Sequence, residues 1–274
     1  AEELKQKLTQ TYENREFVTV LEVMNSTDEI ISEYGDFLFQ RDYSLYTAKQ
    51  WGVDPSTIDT SVLKRVPFRI SYNTGYFDDD YQVMPKESFA SFFKSLLDHD
   101  NITVILNKNV IDDLVIKDNK TYYCGEVGSK PIIYTGPIDE LFGYRYGSLP
   151  YRSLRFEWHH EEKPSFQDMP VVAYPMAKDY TRITEYTKLP YQVGKGTTYA
   201  VEYPLPYKAG ITNEPYYPVL TDESQRIYHL YKQEADSIPN LFVLGTLGDF
   251  KYYNMDQTLE RALEVVEQIL KYLS

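Results

Sequence analysis

The segment 240–273 constrains the fold of this chain more than any other. It opens with a short apolar run typical of a buried strand, and Gly245 and Gly248 follow that run directly. Asn254 can cap a helix while Gln257, three residues on, reaches back to it. The apolar residues of this helix recur at helical spacing: Leu259, Ala262, Leu263, Val266, Ile269, Leu270 and Leu273. A strand, a glycine turn and a helix start together predict a cradle for a ligand or cofactor.

The order of the predicted elements favours an α+β fold. Helices are predicted up to about residue 58, with Asp28 as a cap, and again at 89–97 and after a cap at Asp222. The predicted strands lie at 65–72, 102–106, 121–127, 131–134, 154–160, 171–176, 180–189 and 197–203, and the last four imply an antiparallel sheet. We therefore predict a helical unit at 1–64, a mixed segment at 65–140, an antiparallel sheet domain at 141–220, and C-terminal helices at 221–274.

Charge and cysteine content limit the classes of partner. The net charge of −13 argues against nucleic acid or an anionic membrane surface. No apolar run approaches the length of a membrane span. The single cysteine, Cys124, cannot form an internal disulfide, which favours a reducing cytoplasm. His159 and His160 are neighbours in a predicted strand and would point to opposite faces, so we predict no metal site.

Three segments, in order along the chain, carry a resemblance to a known enzyme family. They are Tyr46–Gly52, which reads Tyr-Thr-Ala-Lys-Gln-Trp-Gly, the segment 133–157, which begins Ile-Tyr-Thr-Gly-Pro-Ile-Asp, and the strand–glycine–helix segment described above. The first motif alone would be weak evidence, but three ordered matches at similar spacing are strong evidence. Together they resemble the UDP-galactopyranose mutases over nearly the whole chain. The resemblance implies remnant strands and a C-terminal helix of a Rossmann-like FAD domain beside the substrate-binding sheet.

The resemblance also implies a chemistry. Members of that family are intramolecular transferases that interconvert UDP-galactopyranose and UDP-galactofuranose with reduced FAD, for surface-polysaccharide biosynthesis. The flavin N5 attacks the anomeric carbon, UDP leaves, and the sugar ring opens and recloses on another hydroxyl. The polypeptide must then supply an aromatic slot for uracil and sugar, cations and hydroxyls for the diphosphate, and a dry flavin cradle. A UDP-sugar is the implied small-molecule partner, and a homodimer is an open alternative to a monomer.

The family motifs imply roles for individual residues. Arg65 and Tyr252 take catalytic roles, and Arg65 matches an arginine that binds the diphosphate, which a guanidinium does in bidentate fashion. The implied substrate-binding set is Tyr46, Thr47, Trp51, Arg65, Tyr76, Arg182, Tyr216 and Tyr252, and the implied cofactor-binding set is Val110, Thr246, Met255, Asp256 and Gln257. Without the resemblance, Tyr46 and Trp51 fit a buried aromatic pair at a helix end equally well, and Arg65 fits an ordinary surface arginine.

Two departures from the family pattern bear on activity. Thr246 stands where members carry a flavin-side arginine, and losing that charge could cost about 3 kcal/mol at the transition state. Members also begin with a strand–Gly-x-Gly-x-x-Gly–helix unit that binds FAD, whereas the only Gly-x-Gly here, Gly194–Gly196, lies in a strand-like run. We therefore expect a chain that lacks this segment by truncation, by proteolysis or in nature.

Two further expectations follow from that missing segment. This chain alone should bind FAD weakly or not at all, and a separate N-terminal polypeptide could complete its flavin site. A nucleotide-sugar-binding relative without mutase activity stays open as the alternative function.

Overall fold

The computed structural model describes residues 2–13, 15–52, 68–71, 75, 79–209 and 213–274. The chain forms two compact units, one of residues 1–103 with 155–204 and the other of residues 104–154 with 205–274. Helices and antiparallel strands occur in both units, which confirms the predicted α+β class. None of the described helices is long and apolar enough to cross a bilayer.

The first unit begins with helices. They are α1 Glu2–Thr11, α2 Val20–Met24, α3 Glu29–Leu38, α4 Leu45–Trp51 and α5 Phe89–Leu97, with a π-helical segment Phe39–Ser44 between α3 and α4. Asp28 caps α3 as predicted, because its carboxylate accepts from the backbone N–H groups of Ile30 and Ile31. Helix α5 has the predicted bounds. Buried Val23 and Ile31 join Leu8 of α1 in the core under these helices.

The first unit also carries a pair of short strands and most of an antiparallel sheet. Strands β1 Phe17–Val18 and β2 Phe68–Arg69 pair with each other. The larger sheet has the order β7-β10-β9-β8, with β7 Tyr151–Glu161, β8 Val171–Ala173, β9 Arg182–Glu185 and β10 Thr197–Pro206. All four were predicted as strands. Inward and outward side chains alternate along β9, where Ile183 and Glu185 are buried, as a half-buried antiparallel sheet requires.

The second unit is built on a parallel pair of strands. These are β6 Ile132–Tyr134 and β12 Leu241–Val243, in register from Leu241 opposite Ile132. The remaining strands are β3 Leu114–Lys117, β4 Lys120–Tyr123, β5 Glu126–Val127 and β11 Tyr217–Pro218, and the helices are α6 Ile138–Leu141, α7 Asp222–Asp236, α8 Gly245–Gly248 and α9 Met255–Leu273. Tyr134, Ile138 and Tyr231 are at the centre of the core. The parallel pair and α9 match the predicted remnant of a Rossmann-like domain.

Three predicted features are wrong. Residues 102–106 form no strand in the described structure, and they are exposed rather than buried. Residues 121–127 are a hairpin rather than one strand, because Cys124 and Gly125 adopt positive φ angles of 51° and 84° and reverse the chain. Helix α7 is capped one residue earlier than predicted, by Thr221, which forms a capping box with Ser224.

Candidate functional site

In the first unit, Lys49 ties helix α4 to the loop between β8 and β9. Its ammonium group donates to the backbone oxygens of Tyr174 at 2.9 Å, Ala177 at 2.6 Å and Tyr180 at 2.9 Å. Burial lowers the pKa of this lysine. Three acceptors match the three donors of an ammonium group, so the contact fixes the loop in one conformation. It brings the Tyr46–Gly52 motif to the loop that leads into Arg182.

The aromatic residues of α4 lie on a helix that ends sharply. Gly52 adopts a left-handed φ of 67°, and its N–H donates to the carbonyl of Ala48 at 2.9 Å, which closes the last turn. Trp51 is 6% exposed and Thr47 is also buried, whereas Tyr46 is half-buried. Tyr46 is therefore the most accessible of the three predicted substrate-binding residues on α4, which are Tyr46, Thr47 and Trp51.

Arg182 begins β9 and is held by an acidic neighbour. Its Nε donates to Oε2 of Glu202 on β10 at 2.9 Å, and the glutamate side chain is 6% exposed. The register of the two strands puts these residues directly opposite each other. The pairing orients the guanidinium at the end of the sheet, where about a third of its side chain stays accessible.

Glu185, at the other end of β9, is fully buried and has four partners. It accepts from the N–H groups of Phe166 and Gln167 and from Thr197 Oγ1 at 3.0, 3.1 and 2.7 Å, and it pairs with Lys188 at 3.3 Å. Burial alone would raise the pKa of this carboxyl, but the hydrogen bonds outweigh burial and lower the pKa to about 2. Glu185 fixes the loop before β8 to the sheet.

Rings gather beside the Lys49 contact. Tyr180 lies 5.3 Å from Tyr174 and 6.2 Å from Tyr203, measured between ring centroids. The guanidinium of Arg155 stacks over the ring of Tyr203 at 3.9 Å. This cluster offers flat aromatic surface and a cation within one unit, the two features that a sugar nucleotide requires.

In the second unit, Asp249 joins the turn after β12 to helix α9. Its Oδ2 accepts from the N–H of Gly245 at 3.2 Å, from Tyr253 Oη at 3.1 Å and from Arg261 Nε at 3.1 Å. A second donor of Arg261 reaches Oδ1 at 3.4 Å. Burial, with the charge of Asp249, raises the pKa of Tyr253 to about 12. Tyr253 is therefore engaged within its own unit.

Tyr252 packs against the strand that follows Tyr216. Its ring meets that of Tyr217 edge-on at 5.6 Å, and Tyr217 is buried. Tyr216 donates its N–H to the carbonyl of Arg152 at 2.8 Å and leaves 43% of its side chain exposed. The structure therefore brings Tyr216 and Tyr252 to the same short strand, β11.

Asp139 is a buried carboxylate in the Gly136–Asp139 part of the second motif. It accepts from the N–H of Leu149 at 2.8 Å and from Tyr151 Oη at 3.4 Å. Burial raises the pKa of this carboxyl, although these donors oppose the shift. Tyr151 Oη is also 3.3 Å from the carbonyl of Leu247, so Asp139 helps to anchor the turn that carries Thr246.

The predicted cofactor residues lie at the carboxyl end of the parallel pair or are exposed elsewhere in the second unit. Thr246 follows β12 and is half-buried, whereas Val110, Met255, Asp256 and Gln257 are exposed. Gly245 is buried and has a φ of 94°, and a Cβ there would lie 3.8 Å from Thr135 Cβ, which is an ordinary packing distance. The left-handed φ is what requires glycine at this turn. The Asn254–Gln257 capping box is present as predicted and occupies donors of that helix start.

Sequence reasoning and structure overlap only in part at these sites. Arg65 and Tyr76, two of the predicted ligand contacts, lie outside the described residues, and their roles stay predictions. The roles of Lys49, Glu185 and Asp249 were missed. Lys49 lies inside the Tyr46–Gly52 motif, but its position near the end of a predicted helix was the only local indication that it binds backbone carbonyls. The partners of Glu185 and Asp249 lie from three to nineteen residues away, and no local motif marks either contact.

Comparisons with known proteins point to one family. The family model for UDP-galactopyranose mutase matches residues 42–252. A UDP-galactopyranose mutase of Mycoplasma pneumoniae is 32% identical over 93% of this chain, and a probable one of Klebsiella pneumoniae is 30% identical over 92%. A dTDP-fucopyranose mutase of Escherichia coli is 29% identical over 92%. A crystal structure of reduced UDP-galactopyranose mutase aligns with a TM-score of 0.65 at 15% identity, over 98% of this chain and 71% of that one.

The alignments cover these relatives incompletely. The chain spans 65% of the length of the Mycoplasma pneumoniae protein and 62% of the Klebsiella pneumoniae protein.

Proposed function

Because this chain belongs to the UDP-galactopyranose mutase family, we propose that it carries the nucleotide-sugar site of a flavin-dependent mutase. The reaction is the interconversion of UDP-galactopyranose and UDP-galactofuranose. The observation that carries the proposal is the Lys49 contact, which joins the Tyr46–Gly52 motif to the loop before Arg182 within one compact unit. The ammonium group of Lys49, with all three of its donors bonded, thereby holds together two segments that match substrate-binding segments of the family.

The residues of the chain take binding and positioning roles in this reaction. Tyr46 offers its accessible ring to uracil, while buried Thr47 and Trp51 shape the slot behind it. Arg65, Tyr76 and Arg182 bind the diphosphate, and the pairing with Glu202 orients Arg182. Tyr216 and Tyr252 supply hydroxyls to the phosphates and sugar near β11. The net charge of −13 makes such local donors necessary, because the chain as a whole repels an anionic ligand.

Reduced FAD, when bound, supplies the nucleophile for the sugar. Thr246, Met255, Asp256 and Gln257, with Val110, would contact its flavin end. The turn that carries Thr246 is held by Asp139 through Tyr151. We place the reaction in surface-polysaccharide biosynthesis, which is the role of the family. We place the protein in a reducing cytoplasm, which is compatible with the exposed single cysteine, Cys124.

The decisive experiment is an activity measurement on the product of the entire gene. The purified protein, reduced with dithionite and supplied with FAD, should convert UDP-galactofuranose to UDP-galactopyranose, as followed by chromatography of the two sugar nucleotides. Absence of any pyranose product from folded, flavin-loaded protein would refute the mutase assignment. dTDP-fucofuranose should be run in parallel, since one relative is named for that substrate class.

Binding of UDP to this chain tests the nucleotide site separately. We expect calorimetry to give a dissociation constant of about 100 μM, equivalent to roughly 5.5 kcal/mol. Arg65→Ala should weaken UDP much more than uridine, because only the phosphate partner is lost, and Trp51→Ala should weaken both ligands. Arg226→Ala and Trp158→Ala, both on exposed side chains, serve as controls and should leave both affinities unchanged. If Arg65→Ala lowered the affinities for UDP and for uridine equally, Arg65 would not bind the diphosphate.

Thr246 favours a second candidate, a nucleotide-sugar-binding protein without mutase activity. In the family the corresponding position is an arginine, which would place a fixed cation beside an anionic reduced flavin. Thr246 instead uses its carbonyl to accept from the N–H of Lys251 at 3.1 Å and provides no charge. This alternative is favoured if the natural protein binds UDP but shows no mutase turnover, and if the Thr246→Arg variant gains that turnover.

A further inference from the structure

A pocket of about 400 Å³ opens in the second unit between helices α7 and α9. Helix α7 contributes Gln225, Tyr228 and His229, the turn after α8 contributes Lys251, and α9 contributes Arg261. Pockets that bind small molecules measure about 300–1,000 Å³, so the size of this one suits a small ligand. None of the described residues that line it belongs to the predicted substrate-binding or cofactor-binding sets.

The carboxylates that line the pocket are already paired. Arg261 donates from Nε and Nη2 to the two carboxylate oxygens of Asp249, at 3.1 and 3.4 Å. It also donates from Nη1 to Oε2 of Glu264 at 3.0 Å. Tyr253 adds its hydroxyl to Asp249 at 3.1 Å. These contacts hold the wall of the pocket together, so recognition of a ligand depends on the remaining side chains.

Two basic side chains of the pocket have no acidic partner in the part of the chain that the structure describes. The ammonium group of Lys251 lies 5.1 Å from the ring centroid of Tyr253 and pairs with no carboxylate there. His229 places Nδ1 2.6 Å from the backbone oxygen of Gln225. Because a carbonyl oxygen only accepts, the proton of the neutral imidazole is on Nδ1, and Nε2 is open to a ligand.

These two side chains favour a phosphate group as the ligand. The chain carries a net charge of −13, so a small anion binds only where basic groups without acidic partners share a pocket. Phosphate oxygens accept from the ammonium group of Lys251. Because the second pKa of a phosphate ester is about 6, the group either donates its proton to His229 Nε2 or accepts one from the imidazolium. A carboxylate has no proton to donate at neutral pH and matches His229 less well.

The rest of the lining suits a hydroxylated body. The side-chain amide of Gln225 both donates and accepts, and Glu264 uses Oε2 for Arg261 and keeps Oε1 as an acceptor. The ring of Tyr228 stacks on buried Phe250, with 5.7 Å between the centroids, so one face of that ring is already covered. Hydrogen-bonding groups therefore outnumber open ring faces, which favours a sugar over a nucleobase.

We propose that this pocket binds a small sugar phosphate, with the phosphate group at Lys251 and His229 and the sugar hydroxyls at Gln225 and Glu264. It is a second ligand site, and it does not depend on the proposed mutase reaction. Lys251 also donates its backbone N–H to the carbonyl of Thr246 at 3.1 Å. A sugar phosphate bound to Lys251 therefore contacts the turn that carries Thr246 and stabilises it.

The test is calorimetry of this chain with glucose 1-phosphate, with and without saturating UDP. We expect a dissociation constant of about 1 mM or lower in both cases, weaker binding of inorganic phosphate, and no measurable binding of glucose. Lys251→Met keeps the length of the side chain but removes its charge, and it should weaken glucose 1-phosphate at least about tenfold, whereas Lys251→Arg should retain most of the affinity. Lys271→Met, on an exposed lysine of α9 outside the pocket, is the matched control and should leave binding unchanged. NMR spectra should show ligand-induced shifts at His229.

Four outcomes would overturn the proposal. The first is no binding of glucose 1-phosphate, and the second is equal affinity in Lys251→Met and Lys271→Met. Loss of binding on addition of UDP would place the sugar phosphate in the proposed nucleotide site instead of a second one. Equal affinity for inorganic phosphate, or tighter binding of UMP that depends on Lys251, would show that the pocket does not select the sugar. Binding is read without turnover, so a failed mutase assay leaves this result interpretable, and a failed result here leaves the mutase assay interpretable.

Discussion

At the scale of single residues, two charged groups hold the loops around the sheet of the first unit. Lys49 donates to three carbonyls, and Glu185 accepts from four partners. Both replace backbone hydrogen bonds that the irregular segments 174–180 and 166–167 cannot make with a strand. Their charges act on loop geometry and not on a substrate directly.

Lys49→Ala should lower the free energy of unfolding by about 2 kcal/mol, because three carbonyls lose a charged donor. UDP affinity should fall as well, since the loop before Arg182 is no longer tied to α4. Urea unfolding and calorimetry measure the two effects. Lys178→Ala removes an exposed lysine from the same loop and should change neither quantity. A Lys49→Ala protein with unchanged stability would show that the three contacts contribute nothing in solution.

Glu185 should make stability depend on pH in acid. Its folded pKa of about 2 lies below the unfolded value of 4.5, so the unfolded state binds the proton first. The stabilisation, about 3 kcal/mol, is present above pH 4.5 and is lost as the pH falls towards 2. Denaturant melts across this range should show a shallower dependence in Glu185→Gln, whereas Glu162→Gln, with an 89% exposed side chain, should keep the wild-type slope. Parallel slopes for Glu185→Gln and wild type would exclude this carboxyl as the source.

At the scale of helices and strands, sequence patterns predicted elements whose signals are local. Helix α5 and the Asn254–Gln257 capping box were predicted correctly because a cap and an apolar period suffice to specify them. Residues 102–106 were wrongly predicted as a strand because propensity does not supply a pairing partner. The 121–127 hairpin was missed because Cys124 is not a typical residue at positive φ. The resemblance implied remnant strands of a Rossmann-like domain, but neither it nor periodicity specified that β6 pairs in parallel with β12, more than a hundred residues away.

Gly248 in α8 controls how closely that helix approaches the parallel strands. A Cβ at this position would lie 2.8 Å from Val243 Cγ1 and 3.3 Å from the carbonyl of Tyr134. Gly248→Ala should therefore destabilise the protein by about 1–2 kcal/mol despite the better helix propensity of alanine. Gly194→Ala, where the nearest atom to the new Cβ is 3.7 Å away, is the control and should change stability by less than about 0.5 kcal/mol. Thermal melts of both variants measure these changes in stability. If Gly248→Ala were as stable as wild type, α8 would be able to shift away from the strands.

At the scale of the whole molecule, the residues proposed to bind the substrate have more fixed polar and aromatic neighbours than the residues proposed to bind the cofactor. The first unit carries cations, rings and a fixed loop, whereas the predicted flavin contacts of the second unit are mostly exposed. The sequence predicted the identity of many candidate residues through the family motifs. It left open whether Trp51 would be buried, as the structure shows it to be, and it could not predict that Tyr253 would be engaged by Asp249, because both depend on contacts formed only in the fold.

We expect this chain alone to retain no stoichiometric FAD. The pyrophosphate of a dinucleotide needs a cluster of backbone donors at a helix start, and at α9 the capping box already occupies donors of that kind. Protein mixed with FAD and passed through gel filtration should emerge without flavin absorbance. A yellow, stoichiometric flavoprotein from this chain alone would contradict the expectation.

The Asp249 carboxylate also limits how the length of this part of the chain can change. It reaches back four residues to Gly245 and forward twelve to Arg261. A single residue inserted in the first turns of α9 would rotate Arg261 by about 100° around the helix axis and shift it by about 1.5 Å. The guanidinium would then leave the carboxylate, and the exposed apolar residues of α9, such as Leu263 and Leu270, would turn with it. By contrast, the exposed stretch from Tyr191 to Lys195 could accept an insertion without breaking any contact of this kind. The interval 245–261 is therefore fixed in residue number as well as in conformation.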